Sequence, residues 1–248
     1  MGNIQSEVWP ISDTSLFLIR SRRAVKHVST KSPYSSKLPN FESSKIHNNM
    51  NTTISLKTSI QDTDNLIILI DDAVQLEGFS LSKEEMGYAV KCLETEQKNF
   101  TINQYDRWIF VQVLSDCKES ARKEANKIHA SIVGNQILEV SVINALGDQA
   151  VAFAFSEGLA LSNYQFLKYF SDKKEHSLKT INLCAGMEET DVTSLQAIID
   201  GTFIARDLVN EPLSYLSAVQ YSQDIEAYGK AFGFSVEVLH KKKIEILK

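Results

Sequence analysis

The common catalytic signatures are missing from this chain of 248 residues. It contains no HExxH, GxSxG, GxGxxG or P-loop pattern, which excludes the usual zincin, serine hydrolase, dinucleotide and nucleoside triphosphate sites. No apolar run approaches the roughly 18 residues that a membrane-spanning helix requires. The cysteines are few and scattered, without CxxC or Cys/His spacing, which predicts buried thiols in a reducing compartment: Cys92, Cys117 and Cys184.

Charge is distributed unevenly along the chain. The first 50 residues hold seven Lys and Arg against three Asp and Glu, whereas the whole chain has a formal net charge of -5, so the remainder is acidic. An acidic body offers no basic face for phosphate backbones, which argues against nucleic acid as the main partner. With 43% hydrophobic residues and only four prolines, the chain has ample material for a packed core.

Residues 1–50 differ in composition from the rest, since they hold ten serines and three of the four prolines. This composition, without sustained periodicity, predicts a disordered basic tail. Other interpretations stay open. Residues 1–6 fit a myristoylation pattern, and the Arg- and Ser-rich, acid-poor character fits a transit peptide. We favour plain disorder or a protein start at Met50, with the preceding residues an upstream extension.

From residue 52 onward, strand-like and helix-like patterns alternate. Strands are predicted at 54–59, 65–70, 107–114, 137–143, 179–184 and 234–239 from β-branched, aromatic or alternating runs. Helices are predicted at 81–92, 119–133, 148–170, 192–209, 217–232 and from 240 onward. Predicted caps are Ser80 or Ser82, Asp116, and Thr190 with Asp191.

This order predicts an α/β fold, with a mixed, mostly parallel sheet flanked by helices on both faces. The predicted domains are an N-terminal α/β domain at 51–187, a long connecting helix at 190–211, and an incomplete second α/β domain at 212–248. A helix–strand–helix segment of this size cannot close a core alone.

Three segments carry a resemblance to a known family. Residues 204–212 read IARDLVNEP and resemble the (A/N)-R-D-L-x-N-x-P signature of the leucyl aminopeptidase family, peptidase M17. Residues 157–166 read EGLALSNYQF and resemble the family's E-G-x-x-L-x-x-Y-x-F helix, and residues 234–239 resemble the strand that opens its catalytic domain. The resemblance covers about residues 60–248.

The resemblance implies a macro-domain-like N-terminal domain and a cytoplasmic aminopeptidase, usually a hexamer, that removes N-terminal residues such as leucine from peptides. It also implies two divalent metal ions, Zn or Mn, in the full-length family. The family's motifs V-G-K-G-x-x-F-D-S-G-G and N-T-D-A-E-G-R do not occur here. We therefore expect the N-terminal portion of such an enzyme, inactive alone, and assign no catalytic, cofactor-binding or metal-binding residue. The alternative is a non-catalytic α/β interaction or oligomerisation module.

The carboxylates of the chain agree with that assignment. A two-metal site needs several carboxylates converging on ions roughly 3.5–4 Å apart. Adjacent pairs on a helix diverge, so Glu84 and Glu85 are interpreted as first-turn partners of the helix dipole. Asp207 and Glu211 are predicted to share a helix face, which we interpret as solvated or as part of an interface.

Other candidate residues receive structural interpretations. Arg206 is expected to pair locally or span the domain junction. His129, which has no second histidine at ligand spacing, is expected on the surface or half-buried. Asn99 opens a formal glycosylation sequon, which carries little weight in a cytoplasmic protein.

Overall fold

The computed structural model of this protein describes residues 52–114, 117–184 and 186–246. The predicted tail at 1–50, with its myristoylation pattern, transit-peptide character and alternative start, lies outside the described residues, as does the predicted cap Asp116. The described residues divide after Val209 into two compact units.

The first unit is built of strands and helices that alternate along the chain. Its strands are β1 Thr53–Leu56, β2 Leu66–Ile70, β3 Asn99–Asn103, β4 Trp108–Val113, β5 Glu139–Asn144 and β6 Thr180–Leu183. Its helices are α1 Lys83–Glu94, α2 Lys118–Gly134, α3 Gln149–Ser162 and α4 Glu189–Asn210, with a 3-10 helix at Ala73–Leu76.

The six strands form one sheet in the order β1-β6-β5-β2-β4-β3. All neighbours are parallel except β3 and β4, which are antiparallel. Strand β2 is buried on both faces, because Ile67 and Leu69 join a core with α2, α3 and α4, whereas Ile68 and Ile70 join a second core with α1. The predicted fold class, a mostly parallel sheet with helices on both faces, is confirmed.

Helix α1 begins as the sequence predicts. The Ser82 hydroxyl accepts a hydrogen bond from the Glu85 N–H, and the Glu85 carboxylate accepts one from the Ser82 N–H, which makes a capping box. Glu84 and Glu85 lie in the first turn, as expected.

Two elements around the sheet differ from the sequence predictions. Strand β3, which was not predicted, forms an edge hairpin with β4 and contains the sequon residue Asn99. Helix α3 was predicted over 148–170 but ends at Ser162. It ends there because the side chain of the next residue, Asn163, is buried and bonded to three other segments of the chain.

Helix α4 covers one edge of the sheet. Its apolar stripe packs into the larger core through Val192, Leu195, Ile199 and Phe203. The Gln196 side chain accepts from the Ile54 N–H at 2.8 Å and donates to the Thr52 carbonyl at 3.3 Å, so it bonds backbone groups at the free edge of β1. The helix starts earlier than predicted, at Glu189, so that Thr190 and Asp191 lie in its first turn rather than before it.

The second unit, described over residues 210–246, contains helices α5 Ala218–Phe232 and α6 Lys241–Ile246. Helix α5 is capped by Ser217 and ends at Gly233 with a φ of 75°, as predicted. The prediction of a strand at 234–239 is wrong, because these residues form no strand. The described residues of this unit contain no other strand with which they could pair. Among those residues only Gly229 is buried. No described helix of either unit combines the length and apolar character needed to cross a membrane.

Candidate functional site

Two of the three segments that carry the family resemblance meet in space. Residues 157–166 form the second half of α3 and the turn after it, and residues 204–210 form the end of α4. The Tyr164 hydroxyl donates a hydrogen bond of 2.7 Å to Asp207 Oδ1. We call this contact region, which comprises Leu161, Tyr164, Phe203, Arg206 and Asp207, the α3–α4 junction.

Arg206 supports the junction from the neighbouring position on α4. Its Nη1 donates to the Leu161 carbonyl at 2.8 Å, and its guanidinium lies 5.3 Å from the centroid of the Tyr164 ring. Leu161 is in the last turn of α3, where carbonyls lack helical partners and a positive charge is favoured. The Tyr164 ring also packs on Phe203, 5.1 Å between centroids. A structural role was predicted for Arg206, and these contacts connect α4 to the end of α3.

The beginning of the first motif attaches α3 to α2. The Glu157 carboxylate accepts a hydrogen bond of 2.7 Å from Arg122 Nε. At the next residue, a Cβ built on Gly158 would lie 2.4 Å from the Arg122 carbonyl oxygen and 2.6 Å from its Cα. Only glycine permits the helices to approach this closely. Glu157 is therefore bonded to the side chain of Arg122, and Gly158 contacts the backbone of the same residue.

His129 is buried, which contradicts the expectation of a surface or half-buried histidine. Its Nε2 lies 3.0 Å from Asn163 Oδ1, and the Asn163 amide nitrogen donates to Thr52 Oγ1 and to the Leu178 carbonyl. Because the Leu178 carbonyl can only accept, the amide orientation is fixed and His129 Nε2 carries the hydrogen. The His176 ring lies 5.0 Å from the His129 ring.

This environment changes the titration of His129. Its pKa is below the usual value chiefly because burial disfavours the charged ring. The charge of His176 lowers the pKa further, whereas the hydrogen bond with Asn163 acts in the opposite direction. We therefore expect a neutral histidine that joins α2 to the end of α3 and to the segment before β1.

The acidic residues at the two ends of α4 do not form a metal site. Helix α4 ends at Asn210, so Glu211 follows the helix instead of sharing a face with Asp207. Glu188 and Glu189 stand at the start of the same helix, where the Glu188 N–H donates to Asp191. Within the described ranges no group of three His, Cys, Asp or Glu side chains is suited to hold a metal ion.

The arrangement positions α2, α3 and α4 through contacts between their side chains and backbones. Sequence reasoning identified Tyr164 only as a letter of a motif and Asp207 as a motif letter and a carboxylate on a helix face, and it missed Asn163, His176 and Gln196. The signal for Asn163 was a polar residue inside an otherwise apolar helical pattern. His176 and Gln196 had no local signal, because the ring of His129 and the N–H of Ile54, which they contact, are distant in sequence.

Comparisons with known proteins agree with the resemblance seen in the sequence. No family model matches the chain. A probable cytosol aminopeptidase of Clostridium perfringens is 34% identical over 134 residues, which is 51% of this chain and 27% of the relative. One from Alkaliphilus metalliredigens is 31% identical over 134 residues, 50% of this chain and 26% of the relative. These matches span about a quarter of the curated relatives' length.

Solved structures show the same fold. A tomato leucine aminopeptidase mutant superposes with a TM-score of 0.65 at 14% identity, covering 81% of this chain and 46% of that one. The bottromycin maturation enzyme BotP in complex with Mn has a TM-score of 0.52 at 18% identity, covering 69% and 37%. The chain is thus similar to the N-terminal part of cytosol and leucine aminopeptidases, and the predicted resemblance is confirmed.

Proposed function

We propose that this chain is the N-terminal portion of a leucyl-aminopeptidase-like two-metal exopeptidase, which removes N-terminal amino acids from peptides. The observation that carries the proposal is the similarity to cytosol aminopeptidases in both sequence and fold. The alternative of a non-catalytic interaction module is not favoured, since the relatives and neighbours named above are aminopeptidases or a maturation enzyme.

We assign this portion the role of a scaffold. The Tyr164–Asp207 bond of the α3–α4 junction fixes α4 against the end of α3. The Glu157–Arg122 ion pair and the close approach at Gly158 fix α3 against α2. The chemistry of the complete enzyme would then come from residues other than those described.

The metal ions of the family do not fit the described residues. Two divalent ions need several converging ligands, and the part of the chain that the structure describes offers no cluster of three. One neighbour is described as bound to Mn, which supports metal dependence for the complete enzyme. The names of the relatives support a cytosolic location, and we propose peptide substrates and a homo-oligomer for the complete protein.

A peptidase assay tests the proposal directly. We expect the purified chain with Mn²⁺ or Zn²⁺ to release no leucine from a chromogenic leucine amide above a metal-only blank, while the Clostridium perfringens relative serves as the active control. Metal-dependent release by this chain, surviving stringent purification, would show that it is active by itself.

A chimera tests the scaffold role. Residues 52–209 would replace the matching part of the Clostridium perfringens relative, whose own sequence is 34% identical over the aligned region. We expect a chimera that is monodisperse, folded by circular dichroism and able to release leucine. A folded chimera without activity would contradict the assignment of this domain to the same scaffold.

A further inference from the structure

The two edges of the sheet differ in how they are protected. At the β1 edge, the Gln196 side chain bonds the Ile54 N–H and the Thr52 carbonyl, so these groups are not open to another strand. Strand β3 ends the other side of the sheet, and no described strand pairs with its outer edge. Its sequence NFTIN contains no charge and no proline, and its register with β4 has no bulge, so it lacks the usual protection of an edge strand.

The outward backbone groups of β3 belong to alternate residues. The Val113 N–H donates to the Lys98 carbonyl, and the Gln104 N–H donates to the Arg107 carbonyl, so the even-numbered residues of this stretch bond to β4. Successive residues of an antiparallel strand direct their N–H and C=O groups to opposite sides. The groups that point away from β4 therefore belong to Asn99, Thr101 and Asn103.

We propose that β3 of one copy of this chain pairs with β3 of a second copy, antiparallel, about a two-fold axis at Thr101. In this register Thr101 faces Thr101, and Asn99 faces Asn103, and the residues of each pair exchange two hydrogen bonds. The two six-stranded sheets become one continuous sheet. The contact is isologous, because the same edge serves both copies, so association stops at a dimer.

The apolar side chains beside the edge suit a second copy. Phe100 and Ile102 belong to the core on the α1 face of the sheet, and the register places Phe100 of one copy opposite Ile102 of the other. The Tyr88 ring packs edge-on against Phe100, with centroids 6.0 Å apart, yet it is 47% exposed. Pairing of the two strands extends this face, so Tyr88 gains apolar surface from the second copy to pack on.

The charges beside the edge are also complementary to a second copy. The register places Lys98 opposite Gln104 of the other copy, whose amide nitrogen donates to the Glu85 carboxylate at 2.9 Å. Each end of the paired strands therefore brings a lysine towards a glutamate, and no like charges face each other within β3. Salt screens such attractions, so dimerisation should weaken as ionic strength rises.

The size of the contact predicts its strength. Three facing residue pairs give about six hydrogen bonds. A standard stable interface buries about 800 Å² per partner, which is more than a five-residue strand and one tyrosine supply. We therefore expect a weak, reversible dimer with a Kd in the micromolar range or above.

Sedimentation velocity of the full chain at about 10 to 200 µM tests the proposal. We expect a monomer–dimer equilibrium for the parent. Thr101→Lys and Thr101→Glu should each weaken dimerisation about fivefold or more, because like charges then face each other across the axis. Thr101→Val is the matched control, since it keeps the N–H and the β-branched shape, and it should dimerise like the parent. The Tm of each variant by circular dichroism shows whether the fold is kept.

Mixing the lysine and glutamate variants gives the sharpest result. Residue 101 faces itself only in the proposed register, so the mixture should recover dimers about as well as the parent, now through a lysine–glutamate pair. A folded mixture without dimers would contradict the axis at Thr101. A parent chain that stays monomeric, or that forms assemblies larger than dimers, would overturn the proposal.

Thr101→Pro tests the pairing without a change of charge. An edge strand tolerates proline where the N–H faces outward, so this variant should keep the fold and lose the dimer. Amide exchange adds a check on the parent, since the Thr101 N–H should exchange more slowly as concentration rises, whereas the Phe100 N–H, bonded to β4, should be slow throughout. A Thr101→Pro chain that dimerises like the parent, or a Thr101 amide indifferent to concentration, would refute pairing through β3.

Discussion

Replacing Gly158 by alanine tests whether the α2–α3 crossing depends on a missing side chain. The new Cβ would lie 2.4 Å from the Arg122 carbonyl oxygen, 2.6 Å from its Cα and 2.9 Å from its carbonyl carbon. All three atoms are backbone, so no flexible side chain can move aside. The helices must separate by about 1 Å to restore ordinary contact, in a core that is packed at crystal-like density.

Two opposing effects determine how much Gly158→Ala changes the stability. Overpacking of this kind costs typically 1–3 kcal/mol, and a backbone contact places the cost near 3 kcal/mol. Alanine gains about 1 kcal/mol over glycine within a helix. The difference leaves a loss of about 2 kcal/mol, which corresponds to a decrease in Tm of about 4–8 °C for a protein of this size.

Thermal unfolding followed by circular dichroism measures the loss, and Gly201→Ala is the control. Gly201 lies inside α4 with no atom within 4 Å of its built Cβ, so alanine there should raise the Tm through helix propensity alone. We expect Gly158→Ala to lower the Tm and Gly201→Ala to raise it. If Gly158→Ala also raised the Tm, the close helix crossing would not exist in solution.

Three further predictions concern single side chains of the first unit. Tyr164→Phe keeps the ring but removes the bond to Asp207, so we expect a loss of about 1–2 kcal/mol in urea unfolding and non-additivity with Asp207→Asn in a double-mutant cycle. The pKa of His129 is lowered in the folded state, so its contribution is complete above about pH 6.5 and is lost as pH falls below that value. The decrease in Tm between pH 7.5 and 5.5 should therefore shrink in His129→Gln. Gln196→Ala leaves two backbone groups at the sheet edge without their partner and should cost about 1–3 kcal/mol, with faster amide exchange in β1.

Elements with strong local signals could be predicted from the sequence. Strand β2 is a continuous aliphatic run, and its burial on both faces follows from that run. Helices α1 and α5 begin at serine caps, and α5 ends at a glycine with a positive φ. In each case residues within one or two turns determine the boundary, so no distant partner is needed.

The incorrect predictions share a dependence on distant partners. Residues 234–239 alternate like a strand, yet no described strand of their unit is available to pair with them. Strand β3 was not predicted although Phe100 and Ile102 alternate with polar residues, because the run is only five residues long and its pairing with β4 is what makes it a strand. Helix α3 ended early because Asn163 bonds Thr52, 111 positions away in sequence.

The contacts at the α3–α4 junction explain why the recognisable motifs of this chain give information about the fold but not about the reaction. Five of their residues make helix-packing contacts that can be stated in atoms. Glu157 and Gly158 contact Arg122, Tyr164 holds Asp207, and Arg206 binds the last turn of α3. A glycine forced by a backbone contact and a tyrosine bonded to a carboxylate are requirements of helix packing, and they would be the same for any reaction carried out elsewhere in the protein. Similarity to aminopeptidases at these residues therefore supports a shared scaffold directly. It supports the reaction only indirectly, because in the relatives the scaffold is part of a protein named as an aminopeptidase. For this reason the peptidase assay and the chimera examine separate propositions, since one asks what the described residues can do and the other asks where they belong.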